Sequence, residues 1–267
     1  MEDLEHLKKK FTDYVAGFYT ENTQDNRAIR LKEEHTKRVC QNIVMLGKAL
    51  NMSGHDIMLA ETMALFHDIG RFKQYKLYGT FNDMASENHA TLGLRQVALQ
   101  RYLSCFTKPE KRLISRAIAY HNAAALPENE DKRTLFFMRL LRDADKLDVW
   151  RVVTDYYRVR EKQPNPVIEL GLPDDPVCSQ KAIKALHEHR FVSMQDLKTL
   201  NDFKLLLVSW VFDLNFVPSF QEAQNRNYIG QIEKALPQSK EVTEAVKQAR
   251  DYIEEAVKRI PLKLISI

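Results

Sequence analysis

Apolar positions along this chain recur at steps of three and four. Leu4, Leu7, Phe11, Val15 and Phe18 mark a helix over residues 2–19, which Asn22-Thr23-Gln24-Asp25-Asn26 interrupts with turn and capping residues. His35, Val39, Ile43 and Leu46 follow one face of a second helix, from about 27 to 50, so His35 sits on its inward side. Met52-Ser53-Gly54-His55-Asp56 reads as a turn in which Ser53 or Asp56 caps a third helix. That helix is expected to end at Gly70, with His67 and Asp68 in its last turn and the glycine letting the backbone leave sharply.

Residues 71–88 have aromatic and basic side chains but no helical period, which predicts a loop. Tyr75, Tyr78 and Phe81 would either stack on a nucleobase or anchor that loop to the core. His89 opens a helix to about 104, and Pro109 suits the first turn of another that delivers His121 near its end. Asp131 or Thr134 starts a long helix to about 160, with Leu140, Leu141, Ala144 and Leu147 as its buried stripe. Four of the nine prolines then fall between residues 163 and 178, an irregular crossing before helical patterning resumes over about 180–260. No segment alternates as a strand would, so the fold is expected to be all-α. It divides into a helical core over 1–162, a Pro-rich connection over 163–178 and a C-terminal helical lobe over 179–267 packed on the core.

Composition narrows the function classes. An apolar fraction of 44% with eight glycines describes an ordered globule rather than a disordered chain. The net charge of +4, from 40 basic against 36 acidic residues, is spread along the sequence, which suits a small anionic substrate and lacks the basic stripe of a dedicated nucleic-acid binder. Lys8-Lys9-Lys10 reads as a solvated helix face. Cys40, Cys105 and Cys178 are odd in number and far apart, which argues against a disulfide framework or a thiolate zinc knuckle. The acidic start lacks the form of a secretory signal, and the apolar stretch Leu205 to Val217 is too short for a membrane span and reads as a buried helix. The expected compartment is the cytoplasm, with no membrane partner; nothing in the sequence marks an oligomeric state.

The chemistry lies in an ordered set: His35, the pair His67-Asp68, His89, His121 and Asp145, each within or beside an apolar helical segment. An imidazole or carboxylate turned inward there needs a partner, and one shared metal centre would satisfy all six. His55-Asp56 also spells the dipeptide but stands in polar surroundings at a helix start. His187 and His189 lie two apart on one helix and so face different sides, which makes them structural or solvent-exposed.

The pattern H…HD…H…H…D resembles the HD superfamily of metal-dependent phosphohydrolases, and His67-Asp68-Ile69-Gly70-Arg71 is similar to the HDIGK signature of its HD-GYP and ribonuclease Y branches. The resemblance covers residues 27–160 and implies an HD-domain helical bundle. By position, His35, His67, Asp68 and Asp145 would hold one divalent ion, and Asp68, His89 and His121 a second, with Asp68 bridging. One or two ions of Mn, Fe, Ni, Mg, Co or Zn are implied, without a choice among them. Arg71 stands where lysine is usual, Tyr120-His121-Asn122 where His-His-Glu is common, and no GYP tripeptide follows, which disfavours a cyclic-di-GMP phosphodiesterase. Asp145-Lys146 is similar to the ending of HD enzymes that cleave dinucleoside polyphosphates, although a dipeptide does not fix a substrate.

The implied function is hydrolysis of a phosphomonoester or phosphodiester bond, with a nucleotide or dinucleotide as substrate, by water activated on the metal. Asp68, Arg71 and Lys146 are the candidate catalytic residues, the two cations serving either as phosphate contacts or only as surface charge. Glu34 and Asn122 are weaker candidates for orienting water or an imidazole, Asp143 and Asp148 belong behind the ligands or at the surface, and Asn225 to Tyr228 either line the cleft or join two helices. The alternatives are a single-strand nuclease, which needs a basic groove, and a non-catalytic regulatory or nucleotide-binding protein.

Overall fold

A computed structural model describes residues 2–258. The fold is all-α, with no strand among the described residues. Its helices are α1 (Glu2–Ala16), α2 (Thr23–Ala49), α3 (Gly54–Phe66), α4 (Ile69–Tyr78), α5 (His89–Leu99), α6 (Lys108–Tyr120), α7 (Lys132–Val159), α8 (Pro166–Glu169), α9 (Gln180–His187), α10 (Leu200–Ser209), α11 (Val217–Asn225), α12 (Tyr228–Lys234) and α13 (Lys240–Lys258). The chain forms two compact units, residues 1–148 and 149–267, whose boundary falls inside α7. The Pro-rich stretch 163–178 thus lies within the second unit.

In the first unit, α1 buries Leu7, Phe11 and Val15, the stripe its period predicts. Each such side chain contributes roughly 1.5–3 kcal/mol on burial, and Phe11 meets the edge of Phe72 at 5.8 Å. Side-chain caps fix where the helices begin. Asn22 accepts from the backbone of Gln24 and Asp25 to start α2, Ser53 from Asp56 to start α3, and Asn88 from Thr91 to start α5. Thr107 and Glu110 form a capping box on α6, and Asp131 accepts from both the backbone and hydroxyl of Thr134 at the head of α7.

The structure corrects the sequence reading between residues 66 and 88. α3 stops at Phe66, His67 is its C-cap, and Asp68 (φ −105°, ψ 11°) breaks the helix before α4. Residues 71–78, expected as loop, are helical as part of α4, and the irregular segment shrinks to 79–88. The inward face of α4 is Ile69, Gly70, Phe72 and Gln74, so a buried glycine and a buried glutamine conceal its apolar period. Gly70 is no exit point. A Cβ there would lie 2.1 Å from the carbonyl of His89 and 2.5 Å from the nitrogen of Gly93, so glycine is what lets α4 and α5 touch backbone to backbone. Tyr75 and Phe81 pack together at 5.0 Å with Phe81 buried, as core anchors, whereas Tyr78 is exposed.

The second unit packs α9 to α13 around Leu205, Leu206, Leu207, Val208, Ile232, Val246 and Ala249, with Trp150 fully buried and donating to the Leu207 carbonyl. Leu205 to Val217 is not one helix: α10 ends at Ser209, and a 3-10 turn over Trp210–Asp213 precedes α11. Asn225 to Tyr228 joins α11 to α12 through Asn227 at φ 50°. Among the described residues, no helix is long and apolar enough to cross a membrane.

Candidate metal centre

Five helices of the first unit and the break between α3 and α4 deliver six side chains to one place. α2 supplies His35 from its interior, α3 ends in His67, the break before α4 supplies Asp68, α5 begins with His89, α6 ends in His121, and α7 supplies Asp145. His67 and His121 occupy equivalent positions. Each is the C-cap of its helix and donates Nδ1–H to the carbonyl three residues back, Ala64 and Ile118, at 2.7 Å. The other two rings use carboxylates: His35 Nδ1 lies 2.7 Å from Asp148 Oδ2, and His89 Nδ1 lies 2.7 Å from Asp83 Oδ2.

Carbonyls and ionised carboxylates only accept, so Nδ1 carries a proton in all four rings, and in each ring that is neutral Nε2 presents a lone pair. Those lone pairs converge. His35 Nε2 lies 3.1 Å from Asp145 Oδ1 and 3.5 Å from Asp68 Oδ2, and His67 Nε2 lies 3.8 and 3.6 Å from the same two atoms. Neither Nε2 has a hydrogen-bond partner, although both are buried. On the other side, the Nε2 atoms of His89 and His121 face each other at 2.9 Å and stand 3.2 and 3.7 Å from Asp68 Oδ1. Asp68 therefore divides its oxygens, Oδ2 toward His35 and His67, Oδ1 toward His89 and His121. His67 stands between the sets, its ring 5.4 Å from His35 and 5.0 Å from His121.

Two orphaned ring nitrogens in a buried place, and two lone pairs directed at one another, are unfavourable unless a cation joins them. The electrostatics point the same way. Burial and Lys32 oppose protonation of His35, yet Asp145 and Asp148 outweigh them and lift its pKa to about 9, so the carboxylates favour positive charge at this ring, which either a proton on Nε2 or a bound cation supplies. Burial pushes His67 down to about 4, and burial together with Arg71 lowers His89, so protons do not fill those positions. Burial alone would raise the carboxyl of Asp68, but Lys32 and the surrounding imidazoles hold it well below its ordinary range. Asp145 is also held low, burial being outweighed by His35 and His67. The donor set of imidazole nitrogens and carboxylate oxygens fits divalent ions of the Mn, Fe, Co, Ni and Zn type. His35, His67 and Asp145 form one group that can hold an ion; His67, Asp68 and His121 form another.

The remaining sequence candidates fall around this cluster. Arg71 directs Nη1 to Gln74, the Phe81 carbonyl and Asp83, while its Nε, 3.5 Å from Asp68 Oδ1, is buried without a hydrogen bond. Lys146 is buried on α7, not a surface charge, and the helix turns it about 100° from Asp145. Asp148 is buried behind His35 and also takes Arg38 at 2.6 Å, while Asn122 donates to Asp83 at 3.1 Å. Asp143 is fully buried. Glu34 is more than half exposed beside Arg38. His55 pairs with Glu110 at the surface, and His187 and His189 are exposed in the second unit, with His189 stacked on Phe212.

Sequence reasoning missed Lys32, Arg38, Asp83 and Gln74. Lys32 donates to Asp68 Oδ2 at 2.7 Å. Lys32 and Arg38 stand three residues either side of His35 and share its helix face, a signal that was available. Asp83 sits in an aperiodic loop and carried none.

No curated protein and no solved structure matches the chain. Residues 33–150 match the HD domain family, a span that begins in α2 just before His35 and ends in α7 beyond Asp148. It contains all four imidazoles and both carboxylates that the fold brings together, and so this part of the chain is similar to the HD domain in the very residues that form the cluster.

Proposed function

We propose that this HD-like domain hydrolyses a phosphomonoester or phosphodiester bond in a small anionic substrate of the nucleotide or dinucleotide class. Divalent ions would be held by His35, His67, Asp68 and Asp145 on one side, and by Asp68, His89 and His121 on the other. The observation that carries the reading is the division of Asp68, whose two oxygens face two separate histidine pairs. When bound, such ions neutralise phosphate oxygens and supply a water acidic enough to attack at neutral pH.

The chain's own residues supply orientation and access. Asp145, with 22% of its side chain exposed against 4% for Asp68 and His35, marks the side from which substrate reaches the cluster. Arg71 is pinned through Nη1, which fixes a guanidinium beside Asp68 with Nε left to donate to a phosphate oxygen. Lys32 places an ammonium on the opposite carboxylate oxygen and can turn to the same phosphate. Both cations also lie over the ring of Phe81, which limits their movement.

The test is to strip the purified chain with chelator, reload it with Mn²⁺, Co²⁺, Ni²⁺ or Zn²⁺, and assay a nucleotide panel for released phosphate and bis-p-nitrophenyl phosphate for diester cleavage. Turnover with at least one metal, abolished in Asp68→Ala, is the expected result. Tight nucleotide binding with no turnover under any metal would replace this reading with the regulatory one.

A further inference from the structure

The loop over 79–88 leaves α4 through Gly79 at φ 65° and enters α5 at Asn88. Asp83 opens its single 3-10 turn. A carboxylate in a short polar loop would ordinarily face water, but three-quarters of this side chain is covered. Oδ1 accepts from Arg71 Nη1 at 2.9 Å and Gln74 Nε2 at 2.8 Å, Oδ2 accepts from Asn122 Nδ2 at 3.1 Å, and both oxygens face His89 Nδ1, at 2.9 and 2.7 Å. Gln74 is fully buried and ties the loop down from α4, donating also to Ser86 Oγ and the Glu87 carbonyl. Donors from α4, α5 and the end of α6 thus meet on one acceptor-only group.

The contrast with the other rings gives this geometry its meaning. His67 and His121 are fixed by backbone carbonyls, which every sequence possesses. At His89 Nδ1 the acceptor is Asp83, at 2.7 Å and 2.9 Å, against the Asn122 amide nitrogen at 3.4 Å, so the loop carboxylate decides which ring nitrogen carries the proton. If Nε2 were protonated, it would point a hydrogen at His121 Nε2, 2.9 Å away, and could not ligate an ion.

We infer that Asp83 is the positioning residue for the second ion: it holds the proton on His89 Nδ1, turns the Nε2 lone pair toward Asp68 and His121, and fixes Arg71 on the same carboxylate. This rests on the two-ion reading of the cluster. Asp83 does not itself reach the ions, since it lies on the far edge of the imidazole.

The experiment is a calorimetric Zn²⁺ titration of the chelator-stripped full chain, joined to long-range ¹H–¹⁵N spectra of the histidine rings in the zinc-loaded protein. Wild type is expected to bind two Zn²⁺ with His89 protonated at Nδ1. Asp83→Asn is expected to keep the first site unchanged and weaken the second by about 10–100-fold, with only the His89 ring pattern altered. Ser86→Ala, which loosens the same loop without touching Asp83 or His89, is expected to leave both sites intact. Fewer than two Zn²⁺ on wild type would remove the two-ion reading and this inference with it. Two Zn²⁺ on wild type with an unchanged second site in Asp83→Asn, or equal losses in Asp83→Asn and Ser86→Ala, would overturn the positioning role alone. Should Asp83→Asn fail to fold, the wild-type spectrum decides: a proton on His89 Nε2 rejects the role, and one on Nδ1 supports it.

Discussion

The two sides of the cluster are built by different means. His35 and Asp145 project from the interiors of α2 and α7, and Asp148, three residues beyond Asp145, is held by both His35 and Arg38. His89 and His121 stand at helix ends, and their separation depends on the approach of α4 to α5 and on a loop carboxylate. Helix interiors hold His35 and Asp145 through backbone hydrogen bonds on either flank, and only His67 on this side stands at a helix end. The second side is rigid only as far as its caps, its loop and one glycine contact are intact. That difference orders the expected consequences of substitution.

Asp68 belongs to both sides, and its loss should erase the distinction. Asp68→Ala is expected to abolish binding of both ions and to lower turnover by on the order of 10³-fold or more, because charge stabilisation at the reacting phosphate disappears with the metals. Metal analysis of the purified variant together with the phosphate assay checks this. Retention of one tightly held ion would mean that the sides are separate sites and that the carboxylate does not join them.

Gly70→Ala should strike the second side alone. The added Cβ meets backbone atoms of His89 and Gly93 rather than a flexible side chain, so α4 and α5 must separate. A cost at the upper end of the usual overpacking range, roughly 3 kcal/mol, is expected in denaturant unfolding. The second Zn²⁺ site should weaken while the first keeps its affinity. An equal loss at both would show that α2 and α7 do not hold the first side independently.

The same division explains what could be read from the chain. His35, Val39, Ile43 and Leu46 announce a buried helix face, so the inward position of His35 followed from spacing, as did the stripe Leu140, Leu141, Ala144 and Leu147 beside Asp145. The helix break at His67-Asp68 did not follow, because it is set by a cap geometry in which the histidine bonds a carbonyl three residues back, and no residue type marks such a break as glycine or proline would. α4 was hidden for a related reason: its buried positions include Gly70, chosen for close approach, and Gln74, chosen for hydrogen bonds, and neither registers as apolar. Asp83 was illegible because a loop carboxylate has meaning only once α4, α5 and the end of α6 surround it. Periodicity reports burial by solvent transfer; it is silent about polar groups buried for their partners.

Asp148→Asn tests the first side as Asp83→Asn tests the second. An amide can still accept from His35 Nδ1, but it loses the charge that Arg38 and the ring share, and its NH₂ can take the same place. Zn²⁺ affinity at the first site is expected to fall by about 10–100-fold, with the second unaffected. Titration of the two variants side by side gives a crossed pattern if each carboxylate serves its own ion. Parallel losses would show that the two sides respond as one unit and that the comparison does not hold energetically.

The smallest effect expected is at the other His-Asp dipeptide, and it is the control for the rest. His55 carries the same letters as His67 and precedes an aspartate in the same way, but it is exposed at the start of α3 and its Nε2 meets Glu110 rather than a carboxylate shared with other imidazoles. Asp56 is spent on Ser53 and Arg133. An exposed ion pair of this kind contributes little, so His55→Ala should change unfolding free energy by no more than about 0.5 kcal/mol. Neither Zn²⁺ site should move. A change in metal content would mean that surface histidines take up zinc under the titration conditions, and the counts for the other variants would then have to be measured again with the exposed rings removed. An unchanged count assigns the bound ions to the buried rings, where lone pairs converge because each opposite nitrogen is already engaged. What separates the two dipeptides is therefore not their letters but whether Nδ1 has been given an acceptor and Nε2 a place from which water is excluded.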